Sequence, residues 1–138
     1  MTRLSRATLG IYSETHRADA VSAVVGLEPT SLHEKDERRM GKDGREYSPY
    51  PSSAWLLDAQ VDVAEPGIDP SFVAVFELLD LIESRGDALA RLRPQYSTVI
   101  WWSGEVTVQG NFVIPARELA RLGALGCDLL GSLSPENE

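Results

Sequence analysis

The sequence has little of what disulfide-bonded or metal-bound proteins need. Its single cysteine, Cys127, cannot form an intramolecular disulfide, and this is typical of a reducing, cytoplasmic setting. It has only two histidines, His16 and His33, and neither lies at a short spacing from the cysteine. Structural zinc needs several such ligands that converge on one point, so we expect neither a metal nor another cofactor.

Long hydrophobic runs are missing as well. No apolar stretch of the sequence approaches the ~20 residues that a membrane-spanning helix requires. Residues 1–17 contain no long apolar segment followed by a small-residue cleavage site, so they do not resemble a secretory signal. We therefore expect a cytoplasmic chain that does not enter a membrane.

The signatures of common catalytic sites are also missing. No serine lies in a G-x-S-x-G turn, and no G-x-G-x-x-G occurs. The segment Gly41–Gly44 holds a lysine between glycines, but it lacks the preceding strand and the following helix of a phosphate-binding loop. Cys127 is interpreted as a small buried packing residue. We predict that the protein is not an enzyme.

What the sequence does contain is ordinary globular material with a strong acidic bias. Its 138 residues, 43% hydrophobic and 25% charged, predict one domain over 1–138. The net charge is −8, and residues 58–87 alone hold eight acids and one base. Such a field repels phosphate backbones, which argues against a nucleic-acid partner. A basic protein partner fits this charge, and so does a simple contribution to solubility.

Hydrophobic periodicity predicts an alternation of strands and helices. Strands are expected at 4–12, 53–59, 96–103 and 127–133 with a short edge at 112–114, and helices at 18–25, 70–92 and 115–126. In the last helix we expect Leu119, Leu122 and Leu125 to face inward and Arg117, Glu118 and Arg121 to face outward. The pattern predicts an α+β two-layer sandwich, with a mixed four- to five-stranded sheet, helices mainly on one face and a loosely ferredoxin-like arrangement. The strand order is left open.

Residues 27–53 break this alternation, and residues 134–138 form a polar tail. The segment 27–53 contains three prolines and two glycines, and from 28 to 47 it carries six acids and five bases. We interpret it as a long loop or excursion with a short strand. Its cationic and aromatic side chains, with the tryptophan that follows, are candidates for partner contact: His33, Arg38, Arg39, Tyr50 and Trp55. The alternative is a solvated loop.

Two adjacent tryptophans lie in the strongest predicted strand. Neighbours on a strand point to opposite faces, so Trp101 and Trp102 place apolar surface on both sides of the sheet. If helices cover one side, the other needs the loop 27–53, a second subunit or a ligand; burial within the chain is the alternative. We add both tryptophans to the candidate binding residues and expect a homodimer through the face that carries one of them.

Several short motifs, in this order, resemble a known family. They are Gly26-Leu27-Glu28-Pro29-Thr30 at a helix end, a basic loop that leads to Trp55, and Gly110-Asn111-Phe112 followed by a leucine-bearing helix, Gly126 and a last strand. Together they resemble the bacterial domain-of-unknown-function family 4279 over about residues 4–133. The resemblance implies an α+β fold, and it implies no established activity or cofactor.

Two classes of function follow from these observations. The favoured one is a non-catalytic protein-interaction module, of which an immunity-type protein that binds a basic partner is one form. The alternative is a small enzyme or ligand-binding domain with a pocket under the loop 27–53, near His33, Arg38 or Arg39. An enclosed pocket would favour the second class, and a flat aromatic patch would favour the first.

Overall fold

A computed structural model describes residues 3–63, 72–106 and 114–135. In chain order the elements are β1 (Arg3–Ser13), α1 (Val21–Val25), β2 (Ser31–His33), β3 (Arg39–Met40), β4 (Glu46–Tyr47), β5 (Ser53–Val63), α2 (Val73–Ile82), α3 (Gly86–Leu92), β6 (Ser97–Val106), α4 (Ala116–Leu125) and β7 (Asp128–Pro135). Short 3₁₀ turns at Ala18–Ala20 and Glu83–Arg85 precede α1 and join α2 to α3. The predicted class, an α+β sandwich with a mixed sheet, is confirmed.

The main sheet has five strands in the order β2-β5-β1-β6-β7. The central strand β1 is antiparallel to both β5 and β6, and β2 is antiparallel to β5. Only β7 runs parallel to its neighbour, β6. A parallel pair needs a crossover connection, and α4 lies in the segment between these two strands.

The core lies between the sheet and the helix layer. Alternate residues of β1, among them Leu9 and Ile11, are fully buried, as their period of two predicts. Trp55 of β5 is also fully buried, and its Nε1 donates a hydrogen bond of 2.9 Å to Ser22 Oγ on α1. In α2 the predicted apolar stripe packs inward, with Phe72 at its start. The helices therefore cover one face of the sheet.

The segment 27–53 contains a short strand, as expected, and a small two-stranded ribbon besides. Strand β2 extends the sheet at one edge, and β3 pairs with β4. Glu34 anchors the segment to the first helical turn because its carboxylate accepts hydrogen bonds from the backbone N–H groups of Ala18 and Asp19. A side chain from the loop thus satisfies two of the backbone donors at the start of this helical segment.

Helix α4 is rotated relative to the expectation. Leu119, predicted to face inward, is 52% exposed, whereas the side chain of Arg121, predicted to face outward, is only 16% exposed. Arg121 donates hydrogen bonds to Asp80 (2.7 Å), Glu83 (2.8 Å) and Glu118 (2.8 Å). Carboxylates on the neighbouring helical segment attract this guanidinium into the interface, and this cross-chain attraction is not visible in the periodicity of α4 itself.

Other boundaries agree with the predictions or fall outside the described residues. Gly26 and Gly126 end α1 and α4 in the left-handed conformation, with φ of 78° and 69°. The predicted helix start at residue 70 and the motif Gly110-Asn111-Phe112 lie outside the described residues. Strand β6 continues through Val106, further than predicted.

Candidate functional site

The face of the sheet that points away from the helices, here called the open face, carries the surface of interest. Strand alternation and register bring residues of four strands together on it: Thr8, Gly10 and Tyr12 of β1, Leu56 and Asp58 of β5, Val99 and Trp101 of β6, and Leu130 of β7. Most of these side chains are apolar or aromatic. This face is the part of the sheet that the predicted helices were expected to leave uncovered.

Trp101 and Leu130 form the exposed centre of the open face. They are register neighbours on β6 and β7, and they are 46% and 48% exposed. Trp102, the next residue, is only 5% exposed and packs on Phe72 on the helix side. The prediction that the two tryptophans lie on opposite faces is therefore confirmed, and Trp101 is the one that offers surface.

Tyr12 holds Trp101 in a defined orientation. The Nε1 of Trp101 donates a hydrogen bond of 2.7 Å to the Tyr12 hydroxyl. The Tyr12 ring lies directly over Gly10, where a Cβ atom would stand 2.5 Å from the hydroxyl oxygen and 2.6 Å from Cε2. Because Gly10 has no Cβ, the Tyr12 ring can lie against the backbone of β1. In this position its hydroxyl reaches the indole of Trp101.

Polar groups border this aromatic pair on one side. Arg6 forms an ion pair of 2.9 Å with Asp58, and the Thr8 hydroxyl donates a 2.6 Å hydrogen bond to the same carboxylate. Asp58 thus reaches the surface with its charge already balanced. The result is an apolar centre with a neutralised polar border, the general anatomy of protein-binding surfaces.

At the other border, three of the predicted site residues meet. The rings of His33 and Tyr50 stack with centroids 3.5 Å apart and an angle of 11°, and the guanidinium of Arg39 lies 4.7 Å from the Tyr50 centroid. Burial lowers the pKa of His33, which keeps the ring neutral beside this cation. This cluster is a compact cation–aromatic stack on the loop.

The remaining predicted site residues lie elsewhere. Trp55 and Trp102 face the helix layer and are buried, so neither side chain offers surface to a partner. Gly131 makes room for Trp102, since a Cβ at that position would lie 2.8 Å from Cε3 of the indole. Arg38 is exposed on the ribbon and pairs with Glu46 at 2.9 Å. Because they are buried, Trp55 and Trp102 contribute to packing of the core.

A shallow open cleft lies beside Tyr12 at the end of the sheet. Its volume is about 460 Å³, and the residues that line it include Ser13, Thr15, Ser52 and Tyr96. Two of its hydroxyl groups already have partners within the chain: Ser13 Oγ accepts hydrogen bonds from two backbone N–H groups, and the Tyr96 hydroxyl donates to the Arg17 carbonyl. Of the loop 27–53, only Ser52 lines this cleft, so it differs from the pocket expected near His33 and Arg39.

Among the described residues we find neither a reactive thiol nor a cluster of metal ligands. Cys127 is buried, and burial raises the pKa of its thiol, which disfavours the nucleophilic thiolate. Residues 3–63, 72–106 and 114–135 contain no group of three histidine, cysteine or acidic side chains placed to hold a metal ion.

Of the helices in these described ranges, none is both long enough and apolar enough to cross a membrane.

Sequence reasoning missed three residues of the open face. Tyr12, Gly10 and Leu130 were placed on strands, yet nothing local marked them as partners of Trp101. The alternation of β1 did put Tyr12 on the face away from Leu9 and Ile11. The missing information was the register of β1 against β6, which pairs residues about ninety positions apart in the chain.

Comparison with known proteins identifies a family and no further relative. A search of curated proteins and a search of solved structures each find no match. One family model matches residues 2–133, nearly the whole chain. The chain therefore belongs to the family described as Domain of unknown function (DUF4279).

Proposed function

We propose that the chain is a non-catalytic protein-interaction module that binds its partner through the open face. The observation that carries this proposal is the exposed pair Trp101 and Leu130, held beside Tyr12 on a rigid sheet. Tryptophan and tyrosine dominate the energetics of protein interfaces because they bury much area at a small cost in conformational entropy. Here the Tyr12–Trp101 hydrogen bond restricts the indole before any partner arrives, so binding loses less rotamer freedom.

The shape and polarity of the open face support a protein as its partner. A flat sheet surface with an apolar centre and a polar border fits another folded surface, whereas small molecules are bound in concave sites that surround them. The border formed by Arg6, Thr8 and Asp58 can exclude water from the centre without leaving a charge unpaired.

The net charge of −8 favours a basic partner by long-range attraction. An immunity-type protein that binds a basic toxin is one form of such a module. The acidic side chains of α2 lie on the helix layer, and two acids of this region, Asp80 and Glu83, are engaged by Arg121. The net negative charge would therefore speed the approach of a basic partner. The free energy of binding would come mainly from contacts on the open face.

A small-molecule site in the cleft beside Tyr96 is the second candidate. Its volume of about 460 Å³ falls in the range of ligand sites. The open shape of the cleft and the internally bonded hydroxyls of Ser13 and Tyr96 argue against it. Cys127 is buried, and burial raises the pKa of its thiol. The open face, for its part, could also bind a second copy of the chain, packed face to face at Trp101.

Capture with matched variants tests the proposal. The immobilised chain is exposed to a lysate of its own cells, in parallel with Trp101→Ala and with Leu119→Ala. Leu119 is the control because it is similarly exposed and lies on the helix layer. We expect a protein that the wild type and Leu119→Ala retain and Trp101→Ala loses.

Tryptophan fluorescence then reports on the face directly. Trp101 is the exposed tryptophan, since Trp55 and Trp102 are buried, so acrylamide quenches chiefly its emission. The captured protein, once purified, should protect Trp101 from acrylamide. A partner that binds Trp101→Ala with unchanged affinity, or a metabolite that raises the melting temperature through the cleft alone, would reject the open face as the site.

A further inference from the structure

Strand β7 carries a second surface, which the open-face proposal does not use. It lies at one end of the sheet, and among residues 3–63, 72–106 and 114–135 its only strand partner is β6. Over its eight residues, no other strand in the described part of the chain pairs with the outer backbone N–H and C=O groups.

The features that usually protect an edge strand are missing from the middle of β7. Residues 129–134 include no charged residue and no proline, since Asp128 and Pro135 are the first and last residues of the strand. Leu130, Gly131 and Ser132 are all exposed. The opposite edge of the sheet is different, because β2 is only three residues long, and very short edge strands are poor templates.

We propose that β7 pairs antiparallel with β7 of a second copy of this chain, about a two-fold axis that places Gly131 opposite Gly131 of the second copy. The pairing joins two five-stranded sheets into one continuous sheet. A two-fold arrangement uses the same strand on both copies and closes on itself, so no edge strand of this kind remains for further growth. The pairing is independent of whichever protein the open face binds.

Charge placement favours a second copy as the occupant. In this antiparallel register Asp128 of one copy lies opposite position 134 of the other. The two Asp128 residues are then about 20 Å apart along the strands, from six residues at ~3.3 Å each. That separation exceeds the screening length of about 8 Å at physiological salt, so the carboxylates do not repel appreciably. The acidic helix α2 packs over β1 and β5, two or more strands from the axis.

The pairing also enlarges the open face. Because the axis is perpendicular to the sheet, both copies present their open faces on the same side. Leu130 lies beside the axis in each copy, and Trp101 lies one strand further away. Two exposed Trp101–Leu130 pairs thereby become parts of a single surface.

Oligomeric state tests the proposal, with a charge substitution at the axis. We expect light scattering to show a concentration-dependent dimer for the wild type. Ser132→Lys and Ser132→Glu each bring two like charges together across the axis and should weaken dimerisation by at least about tenfold. An equimolar mixture of the two variants should recover a heterodimer, a rescue that a loss of folding could not produce.

Ser103→Lys is the matched control. Ser103 is exposed and lies directly beside Ser132 in the register of β6 and β7. In the dimer the two copies of position 103 are about 14 Å apart, three strand spacings of ~4.8 Å, so this variant should still dimerise. Trp101→Lys should also still dimerise, whereas a face-to-face dimer would dissociate.

Hydrogen exchange of the wild type gives a second measurement that needs no variant. Backbone amides of β7 should become more protected as the protein concentration rises. A wild type that stays monomeric at every concentration, or a Ser132→Lys variant that dimerises as the wild type does, would overturn the proposal. Concentration-independent exchange in β7 would do the same.

Discussion

The indole of Trp101 donates a 2.7 Å hydrogen bond to the hydroxyl of Tyr12, and the Tyr12 ring reaches it by lying across Gly10. The three residues are distributed over two strands, and none of them has a special backbone conformation. Their arrangement turns a tryptophan that could adopt several rotamers into a fixed part of the sheet surface. The first prediction concerns the glycine that permits it.

Gly10→Ala should disrupt the aromatic pair with only a modest loss of stability. The new Cβ would stand 2.5 Å from the Tyr12 hydroxyl oxygen, so the ring must move and its hydrogen bond to Trp101 is lost, at a cost of about 1 kcal/mol. Acrylamide should then quench Trp101 more strongly, and partner binding should weaken.

Gly123→Ala is the control for this substitution. Gly123 lies within α4, and a Cβ there would meet nothing within 4 Å. Alanine should stabilise this helix by about 0.5–1 kcal/mol and leave the quenching of Trp101 unchanged. Equal quenching in Gly10→Ala and the wild type would show that Tyr12 does not hold the indole.

Trp55→Ala should be severely destabilising, by about 3–5 kcal/mol in urea unfolding. The side chain is fully buried between the sheet and α1, and its removal leaves a cavity and deprives Ser22 Oγ of its donor. Trp101→Ala should cost less than about 1 kcal/mol, since that indole is nearly half exposed. Comparable losses in the two variants would contradict the assignment of Trp55 to the core and Trp101 to the surface.

Arg121→Ala should destabilise the helix layer by about 1–2 kcal/mol. The substitution leaves the carboxylates of Asp80, Glu83 and Glu118 facing one another without their common cation. The loss stays small because solvent screens Asp80 and Glu83, whose side chains are 69% and 50% exposed. High salt should reduce the difference from wild type.

Arg117→Ala provides the comparison on the same helix. Arg117 is exposed, so its loss should change stability by no more than about 0.5 kcal/mol. Arg121→Lys should recover only part of the loss, because an ammonium group cannot reproduce the planar fork that reaches three carboxylates. Full recovery by lysine would mean that charge alone, without geometry, explains the network.

His33 should contribute stability that is lost as the pH falls. Burial lowers its pKa below the ordinary value of 6.5, so the unfolded chain takes up the proton first. The contribution is complete above the unfolded pKa and declines through the window between 6.5 and the lower folded pKa. NMR titration of the imidazole should report a pKa below 6.5 in the folded protein.

His33→Phe separates this effect from that of the carboxylates. Phenylalanine can keep the stack on Tyr50 but cannot take up a proton. Urea unfolding over the same pH range should therefore show a flatter profile for the variant than for the wild type. Identical profiles for His33→Phe and the wild type would show that His33 does not contribute to the pH dependence of stability.

The local elements and the fold class could be predicted from the amino-acid sequence. The period of two in β1, the apolar stripe of α2 and the glycines that end α1 and α4 depend on residues close together in the chain. For the same reason alternation alone placed Trp101 and Trp102 on opposite faces. Family membership, too, followed from short motifs in a fixed order, and the matching family model confirms it over residues 2–133.

Which of these residues form a common surface depends on how the strands and helices pack together. The strand order buried Trp102 against Phe72 and left Trp101 beside Tyr12, and the pairing of β7 with β6 set Leu130 next to it. Arg121 turned inward because its three carboxylate partners include two from another helical segment. These outcomes depend on contacts between distant parts of the chain, whose free energies appear only when the elements pack together and leave no trace in local periodicity.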